Sequence, residues 1–231
     1  MKEPVSPSSF PDPDQLIVSG LRFGSQGPYD FSLAPGMCCG LSGVSGSGKT
    51  LLLRAIADLD EHQGECLLNG ISCSAYPAFE WRSQVALVPA ESRWWHELVG
   101  DHLIYRDGEK RAVDLLVSCG FGAEVLNWQV QRLSTGEKQR LSVVRALLRE
   151  PSVLLLDEIG SSLDGDSELL LEQLLMDYRR RRRASILWVS HSPGQLTRVA
   201  DTVLVLHPDR LEAVQEVSQH QFAQKNQVVS P

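Results

Sequence analysis

The chain has 231 residues, 42% of them hydrophobic, which is enough for one large α/β domain with a substantial core. Its formal net charge of −7 argues against a general nucleic-acid-binding protein, so we expect no nucleic acid among its partners. No apolar run approaches the roughly 20 residues that a membrane-spanning helix requires.

Cysteine usage favours a reducing compartment. The five cysteines form an odd number without a C-x-x-C pair, which argues against disulfides and zinc. Cys38 and Cys39 fall on a predicted buried strand, where cysteine behaves as a small hydrophobic residue. We therefore expect a cytoplasmic protein, and no signal peptide is recognisable at the start of the chain.

The first half of the chain predicts a small sheet followed by a strand, a loop and a helix. Residues 1–14 are rich in proline and serine and predict a flexible arm. Runs with strand character follow, of which the first three predict an antiparallel sheet: residues 16–18, 21–23, 29–33, 37–41, 65–68 and 85–88. A helix is predicted at 51–57, and Asn69-Gly70 is a strong turn signal.

The second half predicts helices and buried strands in alternation. No strand is predicted between about residues 91 and 136, where helices at 101–105 and 109–119 indicate a small inserted helical subdomain. Helices at 137–150 and 168–180 then alternate with strands at 153–156, 186–189 and 203–206. Such alternation is typical of a largely parallel sheet covered by helices. Residues 215–231 are rich in glutamine and predict a flexible tail.

The most informative segment is a glycine-rich loop that fits the phosphate-binding pattern G-x-x-x-x-G-K-[ST]. Glycines let consecutive backbone N–H groups point at a phosphate, the lysine adds a positive charge, and the final hydroxyl suits Mg²⁺. The strand before the loop and the helix after it supply the context that the pattern requires. We expect these residues to bind the phosphates of a nucleotide: Gly43, Val44, Ser45, Gly46, Ser47, Gly48, Lys49 and Thr50.

Further motifs follow the loop in a defined order. They are Leu133-Ser134-Thr135-Gly136-Glu137, Val153-Leu154-Leu155-Leu156-Asp157-Glu158, Ser161-Ser162-Leu163-Asp164 and Trp188-Val189-Ser190-His191. With this set the chain resembles the nucleotide-binding subunits of ATP-binding-cassette (ABC) transporters from about residue 16 to 206. The resemblance implies an α/β fold of the P-loop ABC-ATPase type over residues 15–214: a mostly parallel core, an N-terminal antiparallel β subdomain and a helical subdomain at about 91–136.

Two carboxylates and a histidine are the predicted catalytic centre. Ligands bind at the carboxyl ends of parallel strands, where Asp157 and Thr50 are predicted to hold Mg²⁺. Glu158 is placed to polarise the attacking water as a general base. A lone histidine is most often structural, but His191 matches the family's switch histidine, which implies contact with the γ-phosphate. We therefore expect an ATPase that uses ATP and Mg²⁺, with Glu158 and His191 as catalytic residues.

The resemblance also implies an assembly. Ser134 and Gly136 open a helix whose end faces, in the family, the ATP held by a second copy, and Asp164 is expected at the junction of the two sites. The implied assembly is a homodimer, joined head-to-tail around two Mg-ATP, that drives a separate membrane permease. The protein would then be peripheral on the inner face of the cell membrane. Within the family, small bacterial subunits of the iron-export type are most similar.

Four positions depart from the family pattern. Ser25 stands in place of the aromatic residue that stacks on adenine, and Ala90 in place of a glutamine that touches Mg²⁺ and the membrane partner. Thr135 and Glu137 replace a glycine and a glutamine. Ala90 has no side-chain atom that can coordinate, so coupling to the partner is the property this departure puts in question. For the nearby rings of Phe23 and Tyr29 we favour core packing over adenine binding.

Two segments of unusual composition remain. Trp94 and Trp95 lie in a predicted surface loop, where either both form an aromatic docking site for the permease or one packs under the helical subdomain. Arg179–Arg183 are five consecutive arginines. For them we favour a solvated helix C-terminus, where cations suit the helix dipole, over binding to anionic lipid or nucleic acid.

A second hypothesis within the family is a soluble, non-transport ABC ATPase that acts as a nucleotide-gated regulatory module. Ala90 favours it, whereas the lack of a tandem cassette or a long insertion argues against it. Glu158 and His191 argue against a module that binds ATP without cleaving it. The sequence encodes neither the transported molecule nor the direction of transport, because a cassette subunit seldom touches the cargo.

Overall fold

The structure is a computed structural model that describes residues 14–103 and 108–214. The predicted N-terminal arm other than Asp14, the predicted tail at 215–231, and the last two residues of the helix predicted at 101–105 lie outside the described residues.

The described residues form short strands and helices in alternation. The strands are β1 (Leu16–Phe23), β2 (Gln26–Leu33), β3 (Cys38–Ser42), β4 (Gln63–Leu68), β5 (Ile71–Ser72), β6 (Val85–Val88), β7 (Val153–Asp157), β8 (Ser185–Val189), β9 (Thr202–Leu206) and β10 (Leu211–Val214). The helices are α1 (Lys49–Ile56), α2 (Ala78–Gln84), α3 (Gly100–Leu103), α4 (Glu109–Ser118), α5 (Thr135–Leu147), α6 (Gly165–Arg182) and α7 (Pro193–Val199). Short 3₁₀ turns lie at Cys73–Ala75, Ala123–Asn127 and Val130–Arg132.

The strands of the described residues form two sheets. One is antiparallel, in the order β2-β1-β4-β5, and the other has the order β10-β9-β3-β8-β7-β6. In the second sheet the neighbours from β9 to β6 pair in parallel, and only β10 pairs antiparallel. The predicted N-terminal antiparallel sheet and the predicted parallel core are both confirmed.

The parallel sheet lies between two hydrophobic layers because its central strands are apolar on both faces. Every residue of β3, β7 and β8 is buried. Along β7, Leu154 and Leu156 face the layer that includes α5 and α6, whereas Val153 and Leu155 face the layer that includes α1 and the antiparallel sheet. This alternation fixes the register of the strand and therefore the direction in which the residues at its carboxyl end project.

Several short elements are absent from the sequence prediction. The strand β10 and the helices α2 and α7 span only four to seven residues, too few to show a period. For α2 a tertiary contact takes the place of a periodic pattern: the buried Trp81 anchors the helix by donating from Nε1 to the Ile56 carbonyl at 3.0 Å. The runs predicted as two strands at 16–18 and 21–23 form the single strand β1, because the backbone stays extended between them. The other predicted elements within the described residues are confirmed with shifts of a few residues at their ends.

Helices and 3₁₀ turns fill the segment between β6 and β7, where no strand was predicted. The buried faces of α3, α4 and α5 join one hydrophobic cluster with the underside of the parallel sheet. None of the helices among the described residues has both the length and the apolar character needed to cross a bilayer.

Candidate active site at the carboxyl edge of the parallel sheet

Three adjacent parallel strands end side by side and bring the predicted residues together. The strands β3, β8 and β7 are neighbours in the sheet, and Val189 of β8 is level with both Leu41 and Asp157. The glycine-rich loop follows β3, Glu158 follows β7, and His191 follows β8. Residues far apart in sequence therefore meet at one edge, as expected for ligand sites in open α/β sheets.

The glycine-rich loop has a backbone that only glycine adopts readily. Gly46 has a φ of 78° and Gly48 a φ of 93°, both in the left-handed region. A side chain at Gly48 would also collide with the amide oxygen of Gln26. The loop ends at Lys49, the first residue of α1, so the positive end of that helix points at the loop.

Lys49 is held inside the loop. Its side chain is buried, and Nζ donates to the carbonyl oxygens of Gly43 at 2.9 Å and Val44 at 3.1 Å. Burial lowers the pKa of Lys49, while the nearby Glu158 and Asp157 carboxylates act in the opposite direction. The ammonium group thus has acceptors that an anionic phosphate oxygen can replace.

Asp157 and Thr50 provide the oxygen atoms that a hard cation prefers. The Thr50 hydroxyl donates to Asp157 Oδ2 at 2.9 Å. The other carboxylate oxygen, Oδ1, is buried and has no hydrogen-bond partner among the described residues. Burial raises the pKa of Asp157, and the neighbouring Glu158 charge acts in the same direction. An orphaned carboxylate oxygen beside a hydroxyl fits a Mg²⁺ ion.

Glu158 and His191 face each other across the mouth of the site. The Glu158 backbone is left-handed, with a φ of 52°, and its N–H donates to the Val189 carbonyl at 3.1 Å. His191 Nε2 lies 3.0 Å from Glu158 Oε1. Strained backbone of this kind is concentrated at functional sites. Together with the loop, these two residues line a cleft of about 330 Å³: Ser45, Gly46, Gly48, Lys49, Thr50, Leu51, Glu158 and His191.

Ser134, Gly136 and Asp164 lie together, but they do not line this cleft. Ser134 is the N-cap of α5, and Asp164 is the N-cap of α6 with its carboxylate accepting from the Ser167 N–H at 2.9 Å. A Cβ at Gly136 would approach Leu163 Cδ2 to 3.0 Å. The tip of α5, residues 134–137, therefore packs on the loop that precedes Asp164. Ser134 and Asp164 are both exposed.

One functional neighbour, Gln139, escaped the sequence prediction. It is buried on α5, where its Oε1 accepts from the Gly160 N–H at 3.1 Å and from the Ser162 hydroxyl at 3.0 Å. It thereby ties the start of α5 to the loop that follows Glu158. Its only sequence signal is helical spacing: it lies four residues before the buried Val143, on the inward side of α5.

Phe23 and Tyr29 are core residues, as favoured from the sequence. Tyr29 is fully buried, its ring centroid is 5.6 Å from that of Phe23, and its hydroxyl donates to the His207 carbonyl at 2.8 Å. Phe23 also borders a second cleft of about 410 Å³, which Ser25, Gln26 and His62 help to line.

The two tryptophans differ in exposure. Trp94 is partly buried and packs against the core, whereas Trp95 is 62% exposed. The guanidinium of Arg145 lies 4.7 Å from one ring centroid and 5.0 Å from the other, and the buried His102 contacts both rings. The ring of Trp94 thus packs against the hydrophobic core, and the ring of Trp95 faces solvent. Ala90 is exposed nearby.

The arginine run ends a helix, as favoured from the sequence. α6 continues through Arg182, and Arg183 closes it in a left-handed conformation with a φ of 53°. Arg179 pairs with Asp201 at 2.6 Å and Arg182 pairs with Glu150 at 3.1 Å. These two arginines are thus paired with carboxylates of the same chain.

Comparisons with known proteins identify a family to which the chain is similar. The family model described as "ABC transporter" matches residues 27–161. An aliphatic sulfonates import ATP-binding protein, SsuB 2 of Pseudomonas syringae, is 36% identical over 90% of this chain and 74% of that protein. The probable iron export ATP-binding protein FetA of Escherichia coli is 32% identical over 78% of this chain and 83% of that protein.

Among solved structures, cbiO1 from Clostridium perfringens has the same fold. It is described as part of the ABC transporter complex cbiONQ. The two structures superpose with a TM-score of 0.76 at 20% identity, and the match covers 93% of each chain.

Proposed function

The chain belongs to the ABC transporter family, in which it is an ATP-binding subunit and an ATPase. We propose that its own residues bind a nucleotide, hydrolyse it and thereby drive a partner protein. The observation that carries the proposal is the division of the predicted residues into two groups. One group, which includes Lys49, Glu158 and His191, lines the cleft at the sheet edge. The other group, Ser134, Gly136 and Asp164, lies outside the cleft at the N-termini of α5 and α6.

The cleft holds the triphosphate. The glycine-rich loop and the positive end of α1 face the phosphates, and Lys49 exchanges its loop carbonyl partners for phosphate oxygens. Thr50 and the orphaned oxygen of Asp157 hold Mg²⁺, which supplies neutralisation of the phosphate charge.

Glu158 takes the proton of the attacking water. Its carboxylate is partly exposed at the mouth of the cleft, where a water molecule can reach it. His191, already 3.0 Å from that carboxylate, orients it and lies beside the terminal phosphate. The loop that carries Glu158 is fixed from behind by Gln139, so the base keeps its position during turnover.

The exposed group completes the cleft of a second copy. Ser134 and Gly136 stand at the N-terminus of the 13-residue helix α5, which favours an anion, and Asp164 is close to them. Two copies arranged head-to-tail bring each tip over the nucleotide of the other, so that ATP joins the subunits and hydrolysis releases them.

A separately encoded membrane permease is the proposed partner. The segment at about 91–136 is the helical subdomain, and the exposed Trp95 at its start gives the permease an aromatic contact. The protein then works on the cytoplasmic face of the membrane through that permease. The similar proteins include both an import and an export subunit, so we assign neither a direction of transport nor a transported molecule.

The test combines hydrolysis with assembly. Glu158→Gln should lower phosphate release by roughly 10²–10⁴-fold, the usual contribution of a general base, while ATP binding persists. The same variant should form a dimer with Mg-ATP but not with Mg-ADP in analytical ultracentrifugation, because it traps the state before hydrolysis.

Two results would contradict the proposal. Unchanged phosphate release in Glu158→Gln would remove Glu158 as the base, and a monomer at saturating Mg-ATP would remove the shared site. Assembly without any co-purifying permease from the native membrane would favour the soluble regulatory ATPase instead.

A further inference from the structure

The tip of α5 carries a negative charge at the place where it would meet a phosphate. Glu137 Oε2 accepts from the Ser134 N–H at 2.8 Å and from the Ser134 hydroxyl at 2.9 Å. In return the Glu137 N–H donates to Ser134 Oγ at 3.2 Å. The two residues thus form a closed capping box at the start of the helix.

This box occupies the Ser134 hydroxyl, which an incoming phosphate would need as a hydrogen-bond donor. A hydroxyl has a single proton to donate, and that of Ser134 is already given to Glu137. The carboxylate also offsets the positive potential of the helix end, which otherwise attracts anions. The closed box therefore stabilises α5 but opposes the binding of another subunit's triphosphate.

Glu137 has no cationic side chain as an ion-pair partner among the described residues. Among the ion pairs formed within residues 14–103 and 108–214, none includes Glu137. The cleft that the tip would cover is already lined by the Glu158 carboxylate, and the buried Asp157 carboxylate lies behind it, bonded to Thr50. Closure therefore places a third carboxylate near the triphosphate in a partly dehydrated interface, where repulsion is stronger than in water.

We propose that Glu137 sets the ATP concentration at which two subunits close, because its carboxylate must release the Ser134 hydroxyl before that hydroxyl can bind the partner's phosphate. The proposal rests on the head-to-tail dimer described above. Glu137 acts as a positioning residue: it keeps subunits apart at low ATP and leaves the hydrolytic residues of each cleft untouched.

The variant that isolates the charge is Glu137→Gln, whose amide oxygen can still accept from the Ser134 N–H. It is combined with Glu158→Gln to prevent turnover, and dimer formation is followed by ultracentrifugation over a titration of Mg-ATP. We expect the half-saturating ATP concentration to fall about tenfold, equivalent to about 1.4 kcal/mol. With Mg-ADP, which lacks the γ-phosphate, the two proteins should remain monomeric.

The matched control is Glu109→Gln in the same background. Glu109 is an exposed glutamate in the first turn of α4, so it tests the same chemical change at another helix N-terminus between β6 and β7. This control should leave the ATP titration unchanged. Adding Ser134→Ala to Glu137→Gln should remove most of the gain, because the hydroxyl that the neutral amide holds less tightly than the carboxylate is then missing.

The outcomes separate this inference from the proposed function. If Glu158→Gln dimerises with Mg-ATP but Glu137→Gln shifts the titration no more than Glu109→Gln does, the role of Glu137 is refuted and the dimer stands. If Glu158→Gln stays monomeric at every ATP concentration, both ideas fall. An equal shift with and without the Ser134 hydroxyl would also refute the capping-box mechanism.

Discussion

At the scale of single residues, the site is a set of groups left unsatisfied or strained by the fold. Asp157 Oδ1 is buried without a partner, and Glu158 is held in a left-handed backbone conformation. Each feature costs free energy, of the order of 1–3 kcal/mol. A cation that coordinates Asp157 Oδ1 recovers part of the first cost on binding, which is the physical link between this unsatisfied group and the proposed Mg-ATP site.

The cysteines make a second residue-scale point. Burial raises the pKa of the Cys38, Cys39, Cys66 and Cys119 thiols to about 12, so the reactive thiolate is scarce at neutral pH. Cys73 is only partly buried, although its pKa is raised as well.

We predict that a thiol reagent modifies Cys73 first and slowly in the native protein, and reaches the other four only after unfolding. A time course of labelling at neutral pH, with and without guanidinium chloride, followed by peptide mass spectrometry, measures this order. Cys73→Ser should abolish the native-state reaction. Rapid native labelling of Cys38 or Cys39 would show that the strand β3 is less protected than its burial indicates.

At the scale of elements, α5 connects the tip that we propose to be shared between subunits with the loop that carries the proposed base Glu158. Its first turn carries Ser134 and Glu137, and one turn further on Gln139 binds the backbone around Gly160. A movement of the tip on nucleotide contact is therefore coupled by hydrogen bonds to the segment that holds Glu158.

We expect Gln139→Leu to test that connection. The side chain keeps a similar volume, but the buried Gly160 N–H loses its acceptor, so the free energy of unfolding should fall by about 1–3 kcal/mol. ATPase activity should fall as well, because the loop after β7 loses its anchor. Chemical denaturation and phosphate release measure the two effects. The exposed Gln131→Leu is the control, and equal effects in both variants would argue against an anchoring role.

The loop before α3 is the element that we assign to the partner. Trp95→Ala should remove the exposed ring without loss of core packing, so thermal stability and basal ATPase activity should stay close to those of the parent. Co-purification with the permease should weaken at least tenfold if the ring is a central contact worth about 1.4 kcal/mol or more. Phe79→Ala, an exposed ring on α2, is the matched control. Retention of the permease by Trp95→Ala would move the docking site elsewhere.

At the scale of the whole molecule, ligand binding and stability are linked. A ligand that binds only the folded state adds about 2.7 kcal/mol to the free energy of unfolding at 100 times its dissociation constant. Because Mg²⁺ is proposed to bind through Thr50 and Asp157, the stabilisation by ATP should depend on the metal.

We predict that Mg-ATP raises the thermal midpoint of the Glu158→Gln protein by several degrees and that ATP with EDTA raises it less. Adding Asp157→Asn should remove the difference between the two conditions, since the amide lacks the charge that holds the ion. Differential scanning fluorimetry at fixed protein concentration is sufficient. The same shift with and without EDTA would argue against a metal at Asp157.

The sequence by itself determined most of the architecture and predicted which residues line the cleft. A loop that needs glycine at Gly46 and Gly48, and apolar runs that end in charged residues, are local patterns, and local patterns predict strands, turns and their polar ends. The helical subdomain and the arginine-rich helix end were accessible in the same way. Short elements such as α2 and β10 were not, because too few residues repeat to reveal a period.

Only the tertiary structure decided which groups are free and which are occupied. Sequence spacing does not reveal that Asp157 keeps one oxygen unpaired, that Trp95 is exposed while Trp94 is packed, or that Gln139 reaches Gly160. Nor does it reveal that Glu137 holds the Ser134 hydroxyl. The physical reason is that burial and hydrogen bonding depend on residues distant in the chain, which only the packed strands and helices bring within about 3 Å of one another.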